Sequence, residues 1–352
     1  MSLRRVLIAG QFGYGELGQS YRRAFESLGI KTEIFDFQQE YQALPMAENR
    51  YFRRLLSGGY IAAMNRRLSK KTLSFAPDLF FITKGHQIHP DVLDRIRSKG
   101  IKIFNFYPDN PFYYENRSYG RLNTSKWVYQ SFKIYDTFFT FAEYQMDNLR
   151  SHGCRRVEYL PFARDPELHQ PYEGDDDLGP YRCDVSFVGN LDAERISWLN
   201  GLEGHDLKIW GEKKRLPLSE GHWLCGKIQS SALYGRDFSK AVKMSKISLN
   251  LMRQVNVKSH NMRTYEIPSC GGFILSLRNE EVTRLFREGI EAAYFSSAGE
   301  LSEKIRYYLA HPEEREKIAA AAWEKVRADT YRERVKKVMC VYDDLPGAVS
   351  IK

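Results

Sequence analysis

Apolar residues in this chain fall into short continuous runs, separated by longer stretches with helical spacing. That alternation predicts an α/β protein whose strands are buried on both faces. Residues 4–10 read as a first strand whose apolar run ends at Ile8, 19–28 as a helix stopped by Gly29, and 32–37 as a second strand. Further strands are expected at 78–83, 102–107, 137–141 and 157–161, with helices at 91–99 and 143–152. Residues 51–68 place Phe52, Leu55, Leu56, Tyr60, Met64 and Leu68 near one helical face, ringed by Arg53, Arg54, Arg66, Arg67, Lys70 and Lys71. Such a stripe either faces a core, with its arginines solvated, or lies on anionic lipid.

Residues 165–181 hold Asp165-Pro166, Pro171 and a Gly-Asp run, a linker composition. The strand-helix grammar then restarts, with strands at 183–190, 207–211, 247–251 and 273–276 and a helix from about Ala193. Ser297 and Glu300 have capping-box spacing ahead of a helix over 300–309, Pro312 opens another, and 330–343 is the last. The expected architecture is two Rossmann-like doubly wound domains, 1–168 and 182–329, followed by a helical tail, 330–352, with a site in the cleft between domains.

Composition agrees with two domains, since 352 residues with 43% hydrophobic content exceed one small core. No apolar run approaches a bilayer span, and Met-Ser-Leu-Arg-Arg leads directly into a strand, so neither signal peptide nor transmembrane helix is expected and the chain reads as cytoplasmic. Cys154, Cys183, Cys225, Cys270 and Cys340 are scattered, which argues against zinc and disulfide frameworks. The net charge of +9 is uneven: residues 1–170 hold 25 Lys and Arg against 17 Asp and Glu. The first half therefore suits an anionic membrane surface or a phosphorylated acceptor, and no nucleic-acid motif accompanies the charge.

Three places carry candidate chemistry. The turn Gly13-Tyr14-Gly15-Glu16-Leu17-Gly18 matches G-x-G-x-x-G, and Asp36 follows Gly18 by 18 residues, but the loop is longer than a tight dinucleotide turn. Gly13, Tyr14, Gly15 and Glu16 thus suit the approach of a different ligand, or a plain surface turn. Two strand ends, at Lys84-Gly85-His86 and Pro108-Asp109-Asn110-Pro111, fall where open α/β sheets gather ligands; Asp109 is a functional carboxylate or the pivot of an Asx turn. The third place is 257–276, a polar loop, a short helix, Gly271-Gly272 and a buried strand. Ser259 or Asn261 can cap that helix, and Lys258, His260 and Arg263 flank its start, which offers amides and positive charge to a diphosphate. Glu266, one turn in, can accept from ribose hydroxyls.

Asp184-Val-Ser-Phe-Val-Gly-Asn190, Ile209-Trp-Gly211, Ile247-Ser-Leu-Asn-Leu251, the run Asn261 to Gly272 and Thr330-Tyr-Arg-Glu-Arg334 together resemble the spore maturation protein B (CgeB)-like glycosyltransferases, group 1 enzymes of GT-B fold. The resemblance is specific over 183–345 and looser over 1–165, where it rests on Lys84-Gly85, 107–111 and 160–165. It implies sugar transfer from a nucleoside-diphosphate sugar, most readily a UDP-sugar, to a glycan, lipid-linked or protein hydroxyl. The donor would lie mainly on the C-terminal domain, the acceptor mainly on the N-terminal one, and the last helix would cross back to the first domain. Gly189 and Asn190 would approach the nucleotide; Trp210 and Gly211 would border its base, unless Trp210 is core; Arg253, Lys258, Ser259, His260, Asn261 and Arg263 would serve the diphosphate. Asp109, ahead of His86, is the candidate base for an inverting reaction. Many relatives carry two glutamates separated by seven intervening residues; Glu266 matches the second, but Lys258 occupies the first, so the anomeric outcome stays open. Without a D-x-D set on a strand end the sequence requires no metal, and no cofactor is expected beyond the co-substrate. A sugar-nucleotide epimerase, an NAD-dependent oxidoreductase and a non-catalytic sugar-nucleotide-binding protein are the alternatives.

Overall fold

The computed structural model describes residues 3–42, 50–112, 125–174, 176–211, 218–219, 221–229 and 232–345. They form two compact units, Met1–Pro161 with Tyr331–Lys352, and Phe162–Thr330.

In the first unit, strands β1 (Arg5–Gly10), β2 (Lys31–Asp36), β3 (Leu79–Thr83), β4 (Lys102–Tyr107), β5 (Thr137–Thr140) and β6 (Val157–Tyr159) form a parallel sheet of order β2-β1-β3-β4-β5-β6. Helices α1 (Leu17–Glu26), α2 (Phe37–Gln42), α3 (Arg50–Phe75), α4 (Pro90–Arg97), α5 (Ser125–Ser131) and α6 (Met146–Ser151) accompany it. Helices on both faces explain why β3 is buried throughout, four of its five residues apolar. The last helix of the chain, here α13 (Tyr331–Asp343), packs on α1. Tyr21 of α1 holds that contact, its ring centroid 5.2 Å from Tyr331 and 4.8 Å from Phe81 of the sheet.

Tyr60, Met64 and Leu68 of α3 are buried in this unit's core. For these residues the stripe faces protein, not lipid; the side chains of Phe52, Arg53, Arg54, Leu55 and Leu56 lie outside the described residues. No helix among the described residues is long and apolar enough to cross a membrane.

The second unit has β7 (Cys183–Val188), β8 (Leu207–Trp210), β9 (Ser245–Asn250), β10 (Ile274–Leu277) and β11 (Ala293–Phe295), parallel in the order β11-β10-β9-β7-β8. Its helices are α7 (Ala193–Asn200), α8 (Gly235–Met244), α9 (Arg263–Ser269), α10 (Glu280–Leu285), α11 (Ala298–Ala310) and α12 (Pro312–Val326). The Pro- and Asp-rich segment read as linker-like is fixed within this unit. Arg236, Lys240 and Lys243 of α8 surround the Tyr172 ring at 5.2–5.7 Å, and Lys243 Nζ donates to the Tyr172 carbonyl at 2.8 Å.

Candidate functional site

Each sheet reverses its direction of growth once. In the first, β2 lies on one side of β1 and β3 on the other; in the second, β8 and β9 flank β7 in the same way. Loops leaving the carboxyl ends of such strands diverge and open a ligand crevice. The candidate residues fall at these two points.

At the first point, β1 runs to Gly10 and α1 begins at Leu17, two residues before the expected helix start, so the G-x-G-x-x-G loop is shorter than expected. A Cβ at Gly10 would overlap Thr83 Oγ1 on β3, so any side chain there requires Thr83 to turn away. Gly15 has φ 86°, suited to glycine, and the Tyr14 side chain is exposed. Glu16 is held above the ordinary carboxylate range by burial, opposed by Lys84 and reinforced by Asp36. Asp36 itself accepts from the amides of Gln38 and Gln39, which ties it to the start of α2.

Across the crevice of the same unit, Lys84 (φ 67°) follows β3 and pairs with Asp109 at 2.8 Å. His86 Nε2 lies 3.2 Å from the Tyr107 hydroxyl. Burial, with Lys84 adding to it, pushes the imidazole down to about 4. The ring is therefore neutral beside the Lys84–Asp109 pair. Asn65 of α3 braces this loop: its Nδ2 donates to the Gln87 carbonyl at 2.8 Å and its Oδ1 accepts from the His89 amide at 2.8 Å.

At the second point, the loop after β7 carries half-buried Gly189 and exposed Asn190. Buried Gly211 follows β8, and a Cβ there would overlap the Gly189 carbonyl oxygen. Gly211→Ala is therefore expected to lower the urea-unfolding stability by about 1–3 kcal/mol, because backbone cannot yield as a side chain does; wild-type stability would show that the loops do not touch. Trp210 is buried and stacked on Tyr181 at 6.1 Å, so it serves the core rather than bordering a base.

The stretch after β9 is less free than its polarity implies. Asn279 Nδ2 donates to the carbonyls of Val257 (3.0 Å) and Ser259 (2.8 Å). Ser259 and His260 are fully buried. His260 Nε2 accepts from the Phe162 amide at 3.1 Å, and its Nδ1 lies 2.9 Å from Glu281 Oε1. With both ring nitrogens occupied, His260 is a brace and not a diphosphate ligand. Asn261 Nδ2 donates to Asn250 Oδ1 at 2.8 Å, and Asn261 Oδ1 accepts from the Thr264 amide at 3.2 Å, the expected capping contact. Helix α9 is seven residues long, and of the amides near its start foreseen for a diphosphate, Ser259 N–H donates to the Asn256 carbonyl at 3.0 Å and Asn261 N–H to Thr264 Oγ1 at 3.3 Å, so neither is open. Gly271 does end it in the left-handed region, at φ 77°.

Positive charge remains the local signature. Arg253 and Lys258 are exposed, and Arg263 is partly exposed. Arg263 Nη1 pairs with Glu266 Oε2, its Nε donates to the Val188 carbonyl at 3.1 Å, and its guanidinium lies 4.4 Å from the Phe238 ring centroid. The Glu266 side chain is only 2% exposed, its other oxygen 3.6 Å from His169 Nε2. Its carboxylate is therefore engaged, not open to a ribose as the sequence reading had it.

Arg195 of α7 was missed. It is 8% exposed, and it donates to the Leu251 carbonyl (2.8 and 3.2 Å) and the Asn190 carbonyl (2.8 Å), tying together the loops after β7 and β9. Burial, with Arg253 and Arg263 adding to it against Asp192, lowers its pKa to about 10. The sequence signal was an arginine six residues past Gly189 on a helix after a glycine turn, masked by the surface character of most arginines. Among the described residues no group of three His, Cys, Asp or Glu could hold a metal ion.

Residues 194–339 match a protein-family model described as glycosyl transferase-like. The chain is 24% identical over 293 residues to spore protein CgeB of Bacillus subtilis strain 168, covering 77% of this chain and 85% of that one. Its fold is similar to sucrose-phosphate synthase from Thermosynechococcus elongatus (TM-score 0.69, 11% identity, 98% and 100% of the two chains). It is also similar to Anabaena Alr3699/HepE, solved with UDP and glucose (TM-score 0.59, 11% identity, 97% and 99%).

Proposed function

We propose that this chain, a glycosyltransferase of GT-B fold, takes its sugar from a nucleoside diphosphate, UDP in the first instance, and holds that donor at the second switch point. The observation that carries the assignment is the convergence of Arg195, Arg253 and Arg263 on the carboxyl ends of β7 and β9, inside or beside the matched segment. A leaving diphosphate develops negative charge in the transition state, and preorganised guanidinium groups are suited to stabilise it. Gly189 and Asn190 line the nucleotide's approach. Glu266 serves the donor by fixing Arg263, and a ribose hydroxyl reaches the carboxylate by displacing that guanidinium. The UDP complexes of the Anabaena protein support the choice of nucleotide.

We assign the acceptor to the first unit, with Asp109 as its base if the reaction inverts. The excess positive charge of residues 1–170 suits an anionic acceptor or a peripheral contact with an anionic membrane. On this reading the cationic groups do the work of a divalent ion, and EDTA leaves turnover unchanged.

Thermal-shift titration with UDP-, GDP-, ADP-, CMP- and dTDP-sugars tests the donor assignment. A UDP-sugar at about 100 times its Kd contributes about 2.7 kcal/mol of stabilisation and raises Tm. If none of the panel raises Tm, the assignment fails. NMR of a donor-only incubation separates transfer from epimerisation, since an epimerase converts donor without acceptor.

A further inference from the structure

His169 lies in the segment whose composition reads as a linker, and no motif singles it out. The structure buries it to 6% exposure. The Asp165 amide donates to its Nδ1 at 3.2 Å, so in a neutral ring the proton sits on Nε2. Nε2 faces Glu266 Oε1 at 3.6 Å, longer than a hydrogen bond but close enough for the N–H dipole to act on the carboxylate. The ring meets Phe238 edge-on, centroids 6.0 Å apart at 83°, and Phe238 is the same ring that carries the Arg263 guanidinium. The turn 165–169 fixes the imidazole from behind: the Asp165 carbonyl accepts from the His169 amide at 2.8 Å, and Arg164 Nη1 donates to the His169 carbonyl at 3.3 Å. Burial lowers the imidazole's proton affinity, opposed by Glu266, so the ring stays neutral.

We propose that His169 is a positioning residue for the donor site: its Nε2–H faces one oxygen of Glu266 while Arg263 holds the other, and together they set the carboxylate and guanidinium that meet the nucleotide. This rests on the donor assignment above. Arg263 engages Oε2 and His169 faces Oε1, so Glu266 keeps its orientation when a diphosphate draws Arg263 away. Arg164, Asp165, Arg263 and Glu266 are the charged neighbours of the ring.

Two substitutions separate the two ends of the imidazole. His169→Asn keeps an acceptor for the Asp165 amide and loses the reach to Glu266. His169→Gln keeps an N–H donor toward Glu266 and loses the acceptor at Nδ1. The full-length protein is titrated with UDP, GDP and ADP, and urea unfolding is measured in parallel. Asn is expected to weaken the tightest of these about tenfold and raise the donor KM with little change in kcat, while Gln stays within about threefold of wild type. Nitrogen-15 NMR of the ligand-free protein should show an unprotonated Nδ1 and a protonated Nε2. The opposite tautomer overturns the proposal without reference to any ligand. So does wild-type affinity in the Asn variant, or equal losses in both variants that track their loss of stability. If wild type binds none of the nucleotides while the tautomer is as stated, the donor assignment itself fails, and the role of His169 with it.

Discussion

Glu266→Ala is expected to lower the stability of the second unit by about 3 kcal/mol and to weaken UDP binding at least tenfold, whereas Glu266→Gln loses binding with a smaller loss of stability. The sequence alone argues for a ribose contact at Glu266. The structure changes that expectation, because the carboxylate is 2% exposed and faces both Arg263 and His169. Alanine leaves a guanidinium that is 23% exposed without its counter-charge, beside a cavity. Glutamine fills the cavity and keeps one acceptor, so its effect on binding is the cleaner reading. Two consequences then compete. Losing charge-assisted hydrogen bonds to ribose costs about 1.5–3 kcal/mol, and releasing Arg263 toward the diphosphate returns some of that. The released cation is partly solvated, so its gain is the smaller, at most about 1 kcal/mol, and weakening wins. Isothermal titration with UDP and urea unfolding measure both quantities. A Gln variant that binds UDP as wild type does would restrict Glu266 to holding Arg263.

The two-sheet architecture was legible because parallel strands buried on both faces leave continuous apolar runs. The six runs of the first half are the six strands of its sheet, and 183–190, 207–211, 247–251 and 273–276 mark four of the second. The fifth, β11, is three residues long and went unread. Helix α8 went unread because Gly235, Arg236 and Asp237 at its start look like loop, although Phe238, Ala241 and Val242 are buried. For the site, the sequence located Gly189, Asn190, Arg263 and Glu266 through turn and motif chemistry. It could not say that His260, with the look of a phosphate ligand, spends both nitrogens on Phe162 and Glu281, 98 and 21 residues away. Nor could it pick out Arg195 or His169, whose partners are backbone groups and a carboxylate brought close only by folding. Pairings of that kind leave no local pattern.

Arg195 therefore gives the second large effect. Arg195→Ala is expected to lower stability by about 2 kcal/mol and to weaken UDP binding about 30-fold, with Arg195→Lys in between on both counts. The stability term follows from the two carbonyls it holds. Leu251 is 1% exposed and loses donors that water cannot readily replace, while Asn190 is exposed and recovers its hydrogen bond from solvent. Only one carbonyl therefore incurs the full desolvation penalty. The binding term follows from charge: a guanidinium depressed by burial, with Arg253 and Arg263 adding to it against Asp192, is relieved when an anion arrives. Lysine keeps the charge but has no planar fork to span Leu251 and Asn190 at once, so the two loops drift and part of the affinity goes with them. Salt separates this site from an exposed one. Raising ionic strength should weaken UDP binding less in wild type than in Arg195→Ala, whose remaining cations at Arg253 and Lys258 are exposed and screened. An alanine variant with wild-type affinity for UDP would confine Arg195 to bracing the two loops and return the diphosphate to Arg253, Lys258 and Arg263.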